Sequence, residues 1–396
     1  MNIKHLTVRG FKNIEEIDAD ITPTMNIFCG ENANGKTNMI ETVWLCSGCR
    51  SFRGTKDKDI VGFDKNSAFV ELLFENKERE NKISFTVDKN NPRDKKVFLN
   101  GVKKKNLSSL FGNFKCVIFT PEDLDLSKGS PDNRRTFLDI AISQIKPVYV
   151  VSLQKYNDTL SQRNTLLKDI AFGSGDRDLL DIYDRQLAKH GSYITILRRE
   201  YSALLYNYAG RIYKDMSRGL ETLSLAYSST VFKEDVENDM MEEYYFERIK
   251  AVRDDDIDAG FTTIGIHRDD LLLYVNNLLV REYGSQGQQR STALSLKVAQ
   301  AEILKEKSGD APVILLDDAL SEIDKRRQEF ILNEIKDMQI ILTCCDPLVA
   351  IQARMGNIYM IEKGRVASFT NNETYMQEGN NLNKNTDVSQ IRNFKE

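Results

Sequence analysis

Apolar and polar residues alternate through Ile3-Lys4-His5-Leu6-Thr7-Val8 and again over 14–21. This period of two predicts a hairpin turning at Gly10-Phe11-Lys12-Asn13. Met25-Asn26-Ile27-Phe28-Cys29 is short and apolar enough for a buried strand, and residues 37–46 then carry apolar positions at helical spacing. Strands are expected over 68–74, 82–87 and 95–99, the last closing on the Asn100-Gly101 turn. Cys116-Val117-Ile118-Phe119 reads as a further buried strand stopped by Thr120-Pro121.

Helical periodicity takes over from about 132 to 205. Leu153, Tyr156, Leu160, Leu166 and Leu167 stripe one helix; Leu179, Ile182, Tyr183, Leu187, Ile194, Leu197 and Leu204 stripe the next. Phe172-Gly173-Ser174-Gly175-Asp176 joins them, which predicts an antiparallel helical hairpin with limbs of roughly 40 residues, or about 60 Å. An acidic helical stretch follows over 234–253, and strand character returns at 261–266 and 271–275. A long helix opens at Tyr283-Gly284-Ser285-Gln286-Gly287-Gln288-Gln289-Arg290 and runs to about Lys307. Pro312-Val313-Ile314-Leu315-Leu316-Asp317-Asp318 is an apolar strand ending in two carboxylates; strands at 339–343 and 357–361 and a Gly364 hairpin complete the pattern. From about Asn371 the chain is polar and disorder is expected. The expected fold is α/β: a two-part head from 1–125 and 261–370, an inserted helical-hairpin arm lobe over 126–260, and a tail over 371–396.

Composition narrows the class. The 396 residues are 41% hydrophobic and 29% charged, with a net charge of -4, so any nucleic-acid contact must come from local patches. No apolar run approaches the roughly 20 residues of a membrane helix, and 1–10 reads as a strand rather than a signal peptide. Six cysteines scattered through core-like segments suit a reducing cytoplasm, where the protein is expected. Cys46-x-x-Cys49 has no second cysteine pair, and with only three histidines it lacks partners for zinc.

The chemistry starts at Gly30-Glu31-Asn32-Ala33-Asn34-Gly35-Lys36-Thr37, a G-x-x-x-x-G-K-T phosphate loop between a strand and a helix. Backbone N–H groups would cradle a nucleotide's phosphates, Lys36 would reach the β- and γ-phosphates, and Thr37 would ligate Mg²⁺. Asp317, at its strand end, is the second Mg²⁺ ligand, and Asp318 is placed to orient or deprotonate the attacking water. Ser285, Gln286, Gly287 and Gln288 form a second anion-binding helix cap. One chain has no need of two caps for one nucleotide, so ATP sandwiched between two subunits is expected. Ser285-Gln286-Gly287-Gln288-Gln289 resembles the signature helix of ATP-binding-cassette ATPases, and Ala319-Leu320-Ser321-Glu322-Ile323-Asp324 sits where that superfamily has its dimer-contacting loop.

Over nearly its whole length up to the tail the chain resembles the RecF family of bacterial recombination-repair ATPases. The matching stretches are Leu6-Thr7-Val8-Arg9-Gly10-Phe11-Lys12-Asn13, the phosphate loop, Arg50-Ser51-Phe52-Arg53, Phe119-Thr120-Pro121-Glu122-Asp123-Leu124, Lys128-Gly129-Ser130-Pro131-Asp132-Asn133-Arg134-Arg135, Gly265-Ile266-His267-Arg268-Asp269-Asp270, the Ser285 segment and the Asp317-Asp318 strand. The resemblance implies an ATP-dependent homodimer with slow hydrolysis. It also implies binding to gapped or junction DNA and help in loading RecA alongside RecR and RecO. Ile266 stands where the family usually has proline, and Cys344 where transporters place a switch histidine. The 120–123 segment is the best-placed candidate for a Q-loop.

For DNA, Arg93, Lys95, Lys96, Lys103, Lys104 and Lys105 are opposed only by Asp94. They either neutralise phosphates or form a solvated hairpin face. Arg50, Arg53, Lys56 and Lys58 make a second cluster near the phosphate loop, where Arg53 touches either DNA or nucleotide. No aromatic base-stacking platform is evident. A transporter subunit fits poorly with the inserted arm and the soluble composition, and a chromosome-organising ATPase would need far longer arms. A nuclease would need a second acidic metal cluster.

Overall fold

The computed structural model describes residues 1–320, 323–345 and 356–370. The strands β1 (Asn2–Arg9), β2 (Glu16–Asp20) and β3 (Met25–Cys29) lead into α1 (Lys36–Cys46). They are followed by β4 (Ser67–Glu75), β5 (Glu80–Asp88), β6 (Lys96–Leu99), β7 (Val102–Lys104) and β8 (Cys116–Phe119). Helices α2 (Asp125–Lys128), α3 (Pro131–Ile145), α4 (Val148–Ala171) and α5 (Leu180–Met216) come next, then β9 (Leu223–Ser228), α6 (Met241–Ala251) and α7 (Arg253–Ala259). The chain continues through β10 (Asp270–Val275), β11 (Leu278–Leu279), α8 (Val280–Tyr283) and α9 (Gln286–Ser308). It closes with β12 (Val313–Asp317), α10 (Lys325–Glu334), β13 (Ile340–Cys344), β14 (Asn357–Glu362) and β15 (Arg365–Thr370).

One twelve-stranded sheet has the order β7-β6-β5-β4-β1-β2-β15-β14-β3-β13-β12-β8. Its right half, β14-β3-β13-β12-β8, is parallel, whereas β7 to β2 form an antiparallel wing. Every residue of β3, β8, β12 and β13 is buried, as parallel strands covered on both faces must be. Alternation splits their side chains. Ile314 and Leu316 join the core beneath α3, α5 and α9, while Val313 and Leu315 face the core of α1 and the wing. Because β13 lies between β3 and β12, the C-terminal ends of β3 and β12 come together across one strand.

One helical limb is shorter than its periodicity suggests, while the other has close to the expected length. Pro147 starts α4 afresh, giving 24 residues, against 37 in α5. The strand expected at 261–266 is an irregular loop. Its N–H groups are taken by side chains: Thr262 N by Asn164 Oδ1 (2.8 Å), Thr263 N by Asp256 Oδ1 (2.8 Å) and Gly265 N by Thr230 Oγ1 (2.9 Å). A strand not foreseen, β9, pairs along its length with β10, so residues on both sides of 260 share a three-stranded sheet. The polar tail, Ser321 and Glu322 lie outside the described residues.

Candidate functional site

The phosphate loop is strained open by its glycines. Gly35, which caps α1, has φ 102°, and a Cβ on Gly30 would stand 2.3 Å from the Ile361 carbonyl oxygen. Glu31, Asn32 and Ala33 are exposed at its rim, and Asn34 receives Lys363 N and Gly364 N, so the β14–β15 turn leans on the loop. Lys36 is buried and folds back, donating to Gly30 O at 2.7 Å and Glu31 O at 2.9 Å. Its ammonium is therefore tethered by carbonyls that a phosphate can replace.

The Asp317 carboxylate meets this loop. Thr37 Oγ1 donates to Asp317 Oδ1 at 3.0 Å, and Thr343 Oγ1 donates to the same oxygen at 2.8 Å. Asp317 and Thr343 are paired in register on β12 and β13. Burial raises the Asp317 pKa, with opposition from the two hydroxyls and Arg53. Asp318 follows in a left-handed conformation (φ 51°), exposed, its N–H on Thr343 Oγ1 at 3.2 Å. Thr37 and Asp317 together supply two hard oxygen donors. That is a sufficient protein share for Mg²⁺, which keeps waters and phosphate oxygens for its other positions.

Beside the loop an open cleft of about 630 Å³ is lined by Lys12, Asn13, Asn38, Arg53, Gly54, Thr55, Lys56, Lys58 and Asp59. Arg53 Nη1 donates to Asn38 Oδ1 (3.0 Å), Asn38 Nδ2 to Asn13 Oδ1 (2.5 Å), and Asn13 Nδ2 to the Ala33 carbonyl. That chain of amides ties Arg53 to the phosphate loop. Sequence alone gives Lys12 and Asn13 as a hairpin turn within a stretch that resembles the RecF family, not as cleft residues, and it gives no signal for Asn38.

The switch position also divides. Cys344 faces inward, its Sγ 2.9 Å from Cys29 Sγ, while its exposed neighbour Cys345 reaches Asn32 Oδ1 at 2.9 Å. Alternation along the strand explains why the side chain at the loop is the residue after Cys344. Cys46 and Cys49 are fully buried; burial pushes both thiols up, Cys49 to about 12. No cluster of metal-binding side chains occurs among the described residues.

The second cap lies elsewhere. Ser285 Oγ accepts Gln288 N (3.2 Å), and Gln288 Oε1 accepts Ser285 N (2.9 Å), a reciprocal capping box. Gln288 Nε2 reaches Glu221 at 2.7 Å, and Arg327 braces the same turn through Ser291 Oγ at 3.0 Å. Ser285 and Gln286 are exposed. A Cβ on Gly287 would meet only Arg327 Nη2 at 3.5 Å and Ser285 Oγ at 3.9 Å, so no neighbour in the chain requires glycine there. The segment proposed as a Q-loop carries Asp123, which ion-pairs with Lys297 of α9 at 3.3 Å; its carboxyl is raised by burial.

The two basic clusters, separate in sequence, are neighbours. Lys95 Nζ lies 2.5 Å from Asp57 Oδ1, joining the Arg50–Lys58 loop to the β5–β6 connection that carries Arg93. Lys96 lies on β6; Lys103 and Lys104 lie on the edge strand β7, with Lys105 just beyond it, where lysines also discourage edge pairing. Arg50 and Arg53 are exposed.

Residues 2–367 match the RecF/RecN/SMC N terminal domain family. The DNA replication and repair protein RecF of Clostridium beijerinckii is 35% identical over 384 residues, 96% of this chain and all of that protein. Among solved structures, the recombination mediator protein RecF-ATPrS in the RecFOR pathway superposes with a TM-score of 0.85 at 35% identity, over 92% of this chain and 97% of that one. The Smc head domain of Pyrococcus furiosus, with an extended coiled coil, superposes at 0.55 and 17% identity over 96% and 99%, and shares the fold. Among the described residues, no helix is long and apolar enough to cross a membrane.

Proposed function

This chain belongs to the RecF family of DNA replication and repair proteins, and from that premise we propose that it is an ATP-gated clamp of recombinational repair. Two copies close around nucleotide on gapped or junction DNA and assist RecA loading with RecR and RecO. The observation that carries the clamp is the place of Ser285: an exposed, preformed helix cap that contributes no residue to the cleft beside the phosphate loop. Gly287 leaves that cap open to an approaching group. A nucleotide held by Lys36 in one copy would take its second cap from the other.

Within one half-site each residue has a distinct task. Lys36 exchanges its carbonyl partners for phosphate oxygens. Thr37 and Asp317 would hold Mg²⁺, which would offset phosphate charge when bound. Asp318, exposed at the strand end, accepts the proton of the attacking water, and Arg53 adds positive charge from the cleft wall. The absence of a histidine at Cys344 and Cys345 fits slow turnover. The basic surface around Lys95 follows a DNA backbone without reading bases.

Ser285→Arg tests the reading. The variant should bind ATP one-to-one like the wild type, because Ser285 is not part of its own cleft. Light scattering with ATP and Mg²⁺ should show wild-type dimers and variant monomers, with hydrolysis lost alongside. A wild-type monomer under saturating ATP, or a variant that dimerises normally, would overturn the clamp.

A further inference from the structure

We propose that Phe63 is a stacking platform for an unpaired base of DNA, on the loop that meets the second basic cluster and outside the cleft beside the phosphate loop. The inference rests on the DNA-binding reading above. Phe63 is 91% exposed, more than any other large hydrophobic side chain among the described residues. Leaving such a ring in water forgoes stabilisation that its burial would bring. The loop beneath it is nevertheless fixed. Lys12 N donates to Ile60 O (2.8 Å), Gly62 N to Gly10 O (2.9 Å) and Lys65 N to Gly62 O (3.0 Å), and Val61 bridges Phe11. Ile60 and Val61 are buried, so the ring is held out on an anchored turn.

Its surroundings are cationic. Lys89 Nζ stands 5.5 Å from the ring centroid and donates to Phe63 O at 2.5 Å. Lys95 grips Asp57 at the start of the same loop. Residues 50–66 and 88–105 together hold twelve lysines and arginines against five aspartates, Asp64 among them, in a chain whose net charge is -4. Phe172, 86% exposed at the arm's connection, has Lys168 and Arg177 as well as Asp169, Asp176 and Asp178 near it in sequence, and no lysine over its ring among the described residues.

An aromatic ring among lysines binds a flat base whose faces are free. Paired bases inside a duplex have both faces covered, so the fitting ligand is an unpaired base with backbone phosphates on either side. The adenine of ATP has the same face. Phe63, however, does not line the cleft beside the phosphate loop, which favours DNA.

The test compares wild type, Phe63→Ala and Phe63→Trp by fluorescence anisotropy on gapped and blunt duplexes with ATP and Mg²⁺, alongside titration with a fluorescent ATP analogue. Phe63→Ala should lose about five- to a hundredfold in affinity for gapped DNA, keep blunt-duplex affinity and bind nucleotide normally. Phe63→Trp should retain the gapped-DNA affinity. An unchanged gapped-to-blunt ratio in Phe63→Ala overturns the site while leaving the DNA reading intact. Loss of nucleotide affinity instead would assign the ring to adenine and equally overturn it. A wild type that binds neither DNA sinks the reading and this inference together.

Discussion

At the phosphate-loop end of the large sheet, Asp317 shares one oxygen between two threonine hydroxyls, and Arg53 reaches the loop through the half-buried Asn38 and the exposed Asn13. In the helical lobe the same residue types are sealed in. Arg163 is fully buried, with Nε on Asp184 at 2.6 Å and Nη1 on Asp256 at 2.7 Å and Thr262 at 2.8 Å. Arg134 grips Asp270 through two parallel bonds, and Arg198 grips Asp139 and the Ile266 carbonyl. The difference lies in where the missing partners are. In the lobe the protein supplies nearly all of them, so the Gly265–Asp270 stretch is a brace. At the loop several are left to solvent, and a ligand can take their place.

The comparison breaks most sharply at Arg163. Arg163→Ala would leave Asp184 and Asp256 buried beside one another, with Arg253 donating to Asp184 and Thr263 to Asp256. Stripping one member from a buried ion network costs on the order of 3–5 kcal/mol. Urea unfolding should therefore show a large fall in midpoint, with nucleotide affinity of the remaining folded protein unchanged. A loss below about 1 kcal/mol would mean that the lobe, too, leans on solvent.

Acid should single out the lobe next. His267 lies between Tyr156 OH (3.0 Å from Nδ1) and the Thr262 carbonyl (3.1 Å from Nε2); burial, with Arg268 and Arg135 nearby, lowers its pKa to about 4. The unfolded chain binds that proton near 6.5. Stability attributable to His267 is thus complete above pH 6.5 and is lost as pH falls towards 4, up to about 3 kcal/mol. Most of the loss should precede carboxylate protonation. Urea midpoints measured between pH 7 and 5 should fall in the wild type and fall less in His267→Gln. Parallel slopes would remove His267 from the brace.

What could be read in the sequence follows the range of the interactions. The phosphate loop, the Asp317 strand and the Ser285 cap depend on spacing within a few residues, and each sits on the expected element. The amide chain from Arg53 through Asn38 and Asn13 to Ala33 joins four separate segments and carries no local signature. Phe261-Thr262-Thr263-Ile264-Gly265-Ile266 has enough β-branched and apolar residues to mimic a strand, yet side chains of distant α4 and of the adjoining α7 take N–H groups of it. Strand β9 is short, its partner β10 lies beyond two helices, and helical periodicity on both sides masks it. Phe63 gave no pattern at all, because an exposed ring on a turn is visible only as exposure.

The smallest change in stability is expected at the loop itself, and it sharpens the contrast most directly. Lys36→Ala removes two bonds to backbone carbonyls, a buried one to Gly30 O and a part-buried one to Glu31 O. Each such bond is worth about 1 kcal/mol net, so the apo protein should lose no more than about 2 kcal/mol. Binding is another matter, since the lost contact is a charge-assisted one to phosphate, worth about 1.5–3 kcal/mol or roughly ten- to a hundredfold in affinity. Thermal shift reads both quantities in one experiment. Wild type should gain about 2.7 kcal/mol of stability at ATP a hundredfold above its Kd; at that same ATP concentration, Lys36→Ala should gain much less. An apo loss as large as that of Arg163→Ala would make Lys36 part of the scaffold. An undiminished ATP-induced shift would remove it from the nucleotide site.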